Sequence, residues 1–169
     1  CNGCQLMASI GWVPWKGMLL KKQPRLTRNK SGRFESRWVS VKIQPSPAIM
    51  LRGMENSTLG IWVAHGEGQF LFPDKPLYQK AVKQNLIPLV FVDDAGRTTE
   101  KYPFNPNGSA SGLAALCSPD GRHLAMMPHP ERAFLKWQWP WMPEEMKKEL
   151  EASPWLKMFQ NAYEWCQDN

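Results

Sequence analysis

The chain has 169 residues, 43% of them apolar and 21% charged, and a net charge of +6. That length fits one globular domain better than two. Nine Trp residues speak against a disordered tail, and no apolar run approaches the roughly 20 residues needed to cross a bilayer.

Residues 3–11 read as a short helix, with Leu6, Met7 and Ile10 at helical spacing and Gly11 suited to the C′ position. Between residues 16 and 37 stand eight basic residues and one acid, Glu35. Pro24, Asn29, Ser31 and Gly32 punctuate this stretch as loop up to Arg33. Such a cluster can be a footprint for phosphate or nucleic acid. It can equally be a solvated loop, or a surface docked on an acidic neighbour. The blander reading is preferred, because no nucleic-acid module accompanies the patch.

Residues 38–43 alternate, which predicts a strand with Val39, Val41 and Ile43 on one face. A link carrying Pro45 and Pro47 follows, then an apolar turn ending near Gly53. Residues 59–64 form a continuous apolar run, expected as a buried strand that ends in His65-Gly66-Glu67-Gly68. Residues 74–85 read as a helix with Leu77, Ala81 and Val82 inward, and residues 86–92 as another strand. A turn at Asp93-Asp94-Ala95-Gly96 should send that strand into a hairpin with residues 97–102. Residues 105–109 are loop. Residues 113–116 and 123–126 should pair across Ser118-Pro119-Asp120-Gly121.

Trp137, Trp139 and Trp141 alternate with Gln138 and Pro140 and are read as surface packing or an interface. The last helix takes Ser153 as N-cap and Pro154 at N1, with Trp155, Met158, Phe159, Ala162 and Cys166 as its apolar stripe. Strands and helices interleave, so the class is α/β or α+β.

Cys1-Asn2-Gly3-Cys4-Gln5 admits four readings. It could be a redox CxxC, or half of a zinc site. It could also be an N-terminal nucleophile using its own amine as base, or a nucleophile elbow on a strand-to-helix turn. Four scattered Cys do not make a disulfide scaffold, and the start shows neither a basic n-region nor an apolar h-region. A reducing compartment, without a secretory signal, is therefore expected.

Met127-Pro128-His129-Pro130-Glu131-Arg132 gives the strongest companion signal. Prolines on both sides of His129 deny helix and hold the segment extended. Residues two apart then share a side, so Glu131 is expected to reach the imidazole, fix its tautomer and stabilise its cationic form. A loop His with a chance acidic neighbour is the alternative. His123 is read as a partly buried structural histidine.

These motifs resemble the C-terminal glutaminase part of the large, single-chain phosphoribosylformylglycinamidine synthases, within the class I glutamine amidotransferases. The resemblance runs through nearly the whole chain: Cys1-Asn2-Gly3-Cys4-Gln5, Arg28-Asn29-Lys30-Ser31 with Phe34-Glu35-Ser36-Arg37, Val63-Ala64-His65-Gly66-Glu67-Gly68, Tyr102-Pro103-Phe104-Asn105-Pro106-Asn107-Gly108-Ser109, the His129 segment, and Ser153-Pro154-Trp155. It implies an α/β fold of class I amidotransferase type: flavodoxin-like, with a mixed sheet flanked by helices, present here as its C-terminal portion only. Residues 1–169 would begin at the nucleophile, with the first half of the glutaminase and the synthetase domains outside this chain.

The resemblance also implies roles. Cys1, His129 and Glu131 would be the catalytic residues, with Cys1 rather than Cys4 as nucleophile. Asn2 would supply an oxyanion N–H, and Gln5, His65, Gly66 and Glu67 would help hold glutamine. No metal or cofactor is expected on this segment; ATP and Mg2+ are implied for the synthetase region, which would use the ammonia as an ATP-dependent C–N ligase in purine synthesis. The implied partners are glutamine and the synthetase region of the same polypeptide, with no nucleic acid and no membrane, in the cytoplasm. Taken alone, the segment is expected to be inactive. Two other readings stand beside this one: a free-standing N-terminal-Cys amidohydrolase, and a non-catalytic basic binding module.

Overall fold

The computed structural model describes residues 2–168. Helix α1 (Asn2–Ser9) is closed by Gly11, whose φ of +74° a side chain would resist. The Gly11 N–H bonds the Ala8 carbonyl and the Trp12 N–H bonds the Met7 carbonyl, the pair of bonds that ends a helix with a left-handed residue. The buried side of α1 is not the expected stripe. Leu6 and Ile10 are exposed, whereas Ala8 is buried and Cys4 and Met7 pack beside it. Both sets have helical spacing, so periodicity alone could not choose the phase.

The basic stretch holds more structure than a loop. Residues 20–22 form a 3-10 turn, and β1 (Arg25–Thr27) pairs antiparallel with β4 (Gln69–Leu71). The larger sheet is built from β2 (Glu35–Ile43), β3 (Thr58–His65), β5 (Leu89–Val92), β6 (Leu113–Cys117), β7 (Leu124–Met126) and β8 (Pro128–His129). Its order is β7-β6-β5-β2-β3-β8, and every pairing in it is antiparallel. As expected, Val39, Val41 and Ile43 are buried together, and β6 pairs with β7.

The two edge strands β7 and β8 are separated in sequence by Met127 alone. Consecutive Cα atoms lie about 3.8 Å apart, so the opposite edges of the sheet must meet there. The sheet therefore curls nearly closed, and the His129 segment lies on its seam. Helix α2 (Lys75–Lys83) is capped by Asp74, whose carboxylate accepts the Leu77 N–H at 2.9 Å. Ala81 is buried as expected, but Val82 is exposed.

Other expectations need correction. Past the turn at 93–96, the return segment makes only one bridge, Thr98 to Val92, and no full hairpin strand. The tryptophan series splits. Trp139 turns inward, its ring 5.1 Å from Trp38 and its indole N–H on the Ala133 carbonyl, whereas Trp137 and Trp141 stay exposed. After α3 (Glu144–Glu149), helix α4 (Leu156–Asp168) begins beyond the expected N-cap; Ser153 instead accepts the Trp155 N–H just ahead of it. Met158 is buried as expected, but Cys166 is exposed, and the other buried position on α4 goes to Asn161, which donates to the carbonyls of Met50 and Arg52. A hydropathy stripe overlooks such an Asn, because its burial depends on two distant carbonyls.

Candidate active site

His129 reaches its position through β8, where it registers opposite Trp62 of β3. Pro130 then opens a 3-10 turn over residues 130–132. That turn, rather than continued extension, carries Glu131 back to the ring. The expected contact exists, but its path differs: a proline with φ near −65° is preorganised for the first position of a helical turn. His129 Nδ1 lies 2.6 Å from Glu131 Oε1. A carboxylate only accepts, so Nδ1 carries the proton and Nε2 is left as the basic nitrogen. Nε2 is buried and has no hydrogen-bond partner among the described residues. The Glu131 side chain is 55% exposed, and Arg132 Nε stands 3.6 Å from the same oxygen.

Cys1 lies outside the described residues; the turn of helix that follows it does not. Asn2 opens α1, whose first N–H groups have no partner within the helix. Cys4 Sγ donates to the Met126 carbonyl at 2.9 Å, three residues before His129. Burial pushes the Cys4 thiol up to about 11, so at neutral pH it is a packed thiol and not a thiolate. Gln5 Nε2 donates to Glu67 Oε2 at 2.8 Å. The first turn of α1 is thus tied on one side to the sheet seam and on the other to the 65–68 loop. Cys117 is fully buried in β6, and burial pushes its thiol up to about 12. Among the described residues no three His, Cys, Asp or Glu side chains gather as a metal site needs.

The other histidine of interest turns inward. His65 is fully buried at the end of β3, and burial lowers its pKa to about 4. Its Nδ1 lies 3.0 Å from Asn29 Oδ1. Gly68 is pressed against this ring: a Cβ there would stand 2.7 Å from Nδ1, so only glycine fits. Of the three loop residues expected to hold glutamine, Gly66 is half-buried beside Phe34 and Glu67 is exposed and faces Gln5.

Asn29 and Glu35 stand in motifs that carry the resemblance, but sequence reasoning gives neither of them a role at the site. Glu35 is 2% exposed, registers opposite His65, and binds Arg37 Nη2 at 2.5 Å. Arg37 also donates to the Tyr102 hydroxyl at 2.6 Å. An acid two residues before an Arg in an alternating strand was the available signal. Lys21, Lys22, Arg25, Arg28, Lys30 and Arg33 are all exposed, Lys22 with an ion pair to Asp74. His123 is half-buried with its ring 5.1 Å from Trp12, a packing role as expected.

Residues 1–166 match a family described as the CobB/CobQ-like glutamine amidotransferase domain. The phosphoribosylformylglycinamidine synthase of Dictyostelium discoideum is 58% identical over 98% of this chain and 12% of its own length. The probable chloroplastic/mitochondrial phosphoribosylformylglycinamidine synthase of Arabidopsis thaliana is 59% identical over 99% of this chain and 12% of its own. The human phosphoribosylformylglycinamidine synthase is 50% identical over 98% and 13%. The chain therefore spans only 12 to 13% of the length of these relatives. A solved structure, that of PurLQS from Thermotoga maritima, superposes with a TM-score of 0.64 at 23% identity, covering 98% of this chain and 59% of that one. The likeness to that structure supports the expected α/β amidotransferase-type fold. Among the described residues, no helix is long and apolar enough to cross a membrane.

Proposed function

This chain belongs to the CobB/CobQ-like glutamine amidotransferase family, and we propose that it is the glutaminase part of a phosphoribosylformylglycinamidine synthase. In this reading residues 1–169 are the C-terminal part of the glutaminase domain, beginning at the nucleophile. The observation that carries the proposal is His129, with Nδ1 held by Glu131 at 2.6 Å and Nε2 without a partner among the described residues, beside the seam where the first turn of α1 is bonded.

The chemistry follows from these positions. His129 Nε2 takes the proton of the Cys1 thiol, and the thiolate attacks the glutamine carboxamide carbon. Negative charge on the carboxamide oxygen is met by N–H groups at the start of α1, that of Asn2 first. The tetrahedral species collapses as His129 returns the proton to the leaving nitrogen, giving ammonia and a glutamyl thioester. Water, deprotonated by the same Nε2, then releases glutamate. Glu131 orients the ring and offsets its transient positive charge. Gln5 and the 65–67 loop hold the glutamine, with Glu67 as the outward member.

The ammonia would serve the remainder of the polypeptide, where ATP and Mg2+ support conversion of formylglycinamide ribonucleotide to its amidine. The exposed cations of residues 21–33 would face that remainder and not nucleic acid. A cytoplasmic location completes the reading; the relative in Arabidopsis is named for organelles, so fractionation of cells making the whole protein checks this point.

The test uses the whole synthase polypeptide carrying Cys1→Ser. Glutamine-dependent synthesis should vanish while ammonia-dependent synthesis persists, because added ammonia bypasses the thioester. Undiminished glutamine-dependent turnover in Cys1→Ser would overturn the proposal.

A further inference from the structure

Asn29, in the loop between β1 and β2, is 3% exposed and spends its whole side-chain amide on one task. Its Nδ2 donates to the Arg33 carbonyl at 2.8 Å and to the His65 carbonyl at 2.7 Å. Carbonyls only accept, which settles the orientation of the amide. Oδ1 is therefore turned towards two donors, the Gly68 N–H at 3.0 Å and the His65 Nδ1–H at 3.0 Å. Two donors and two acceptor sites are the full capacity of an amide, and all four are used. The backbone adds a fifth tie, from the Asn29 N–H to the Gly66 carbonyl at 2.9 Å.

These bonds hold three residues of the four-residue loop: His65 by its carbonyl and its ring, Gly66 by its carbonyl, Gly68 by its N–H. Only Glu67 is left untied to Asn29. Its carboxylate stands outward and accepts from Gln5 on the first turn of α1. A carboxylate on so short a loop has a defined position only if its flanking backbone is clamped, and here one buried side chain is the clamp on both flanks.

We infer that Asn29 is a positioning residue of the glutamine site, acting at a distance by aiming Glu67 at the Gln5 end of α1. The inference rests on the glutaminase reading above. It adds a residue with no direct part in the chemistry, whose effect must pass through Glu67.

A double-mutant cycle in the whole synthase polypeptide tests it, with Asn29→Ala, Glu67→Ala and the pair, and with ammonia-dependent synthesis as the control for folding. Asn29→Ala should raise the glutamine KM about 10- to 100-fold, the range for orphaning buried partners of one hydrogen-bonded group. In the Glu67→Ala background the same substitution should change KM less than about 3-fold, since its target is gone. Gly68→Ala supplies a second route if Asn29→Ala folds poorly. A Cβ against the His65 ring displaces the same loop, so it should reproduce the KM rise and the same loss of effect without Glu67.

Fully additive KM effects of Asn29→Ala and Glu67→Ala would overturn the inference, as would an unchanged KM. A parallel fall in ammonia-dependent synthesis would also overturn it, because the effect would then be on the fold at large. Failure of the glutaminase reading is separable: it would show as glutamine-dependent turnover surviving Cys1→Ser, whatever the cycle gives.

Discussion

His129 and His65 both belong to the strand system around β3, and their surroundings give them opposite work. The His129 ring donates from Nδ1 to a carboxylate and is partly open to solvent; its Nε2, like that of His65, has no partner among the described residues. The His65 ring donates from Nδ1 to an amide, is fully buried, and packs closely against Gly68. A carboxylate partner stabilises an imidazolium, so His129 can pick up a proton during a reaction. A neutral amide gives no such help, and burial then holds His65 neutral down to about pH 4. In the proposed mechanism the first histidine moves a proton, whereas the second serves as a hydrogen-bonding strut for a loop.

The largest expected break in that contrast comes from His129 itself. His129→Ala in the whole synthase should cost glutamine-dependent turnover roughly 10³- to 10⁴-fold, at the upper end of general acid–base effects. Glu131→Gln should cost less, roughly 10- to 10³-fold, because an amide still orients the ring but cannot stabilise its charge, and a thiol depends less on its base than a hydroxyl does. Single-turnover formation of the glutamyl thioester measures both. Wild-type turnover in Glu131→Gln would reduce the triad to a Cys-His pair and erase the difference between the two partners.

A second test turns on acid. An unfolded His titrates near 6.5, whereas folded His65 does so at about 4. Between those pH values the unfolded state holds a proton that the folded state lacks, so stability falls as pH falls, by about 3 kcal/mol in all. Above pH 6.5 both states are neutral and the effect is absent. Hydrogen exchange in β2 and β3, corrected for its intrinsic pH dependence, should show protection lost between pH 6.5 and 4 in the wild type and a flatter profile in His65→Gln. Identical profiles would mean that the ring is not held neutral.

The smallest effect is expected at Cys4. Its thiol is buried, protonated at neutral pH and bonded to Met126, so Cys4→Ser should leave glutamine-dependent turnover within about 3-fold of wild type, the cost of altering one modest hydrogen bond. Losses from Cys4→Ser as complete as those from Cys1→Ser would favour a redox or metal pair over a single nucleophile.

By itself, the sequence determined whatever depends on near neighbours. Alternation placed Val39, Val41 and Ile43 on one face of β2, turn residues paired β6 with β7, and the spacing of His129 and Glu131 put a carboxylate within reach of an imidazole. The amidotransferase kinship was legible from motifs of the same short range. What only the tertiary structure decided is longer in reach. Periodicity allows α1 two buried faces, and the choice of Cys4 and Ala8 over Leu6 and Ile10 comes from the strands that α1 meets. The meeting of β7 with β8 comes from the curl of the whole sheet. Asn29 read as a turn residue, because its partners beyond the Arg33 carbonyl include groups 36 and 39 residues away that no local pattern records. Secondary structure and turn chemistry are decided by forces that act over a few residues. Burial and side-chain clamps depend on which distant segments become neighbours, and here that settled which histidine meets a carboxylate and which is buried against an amide.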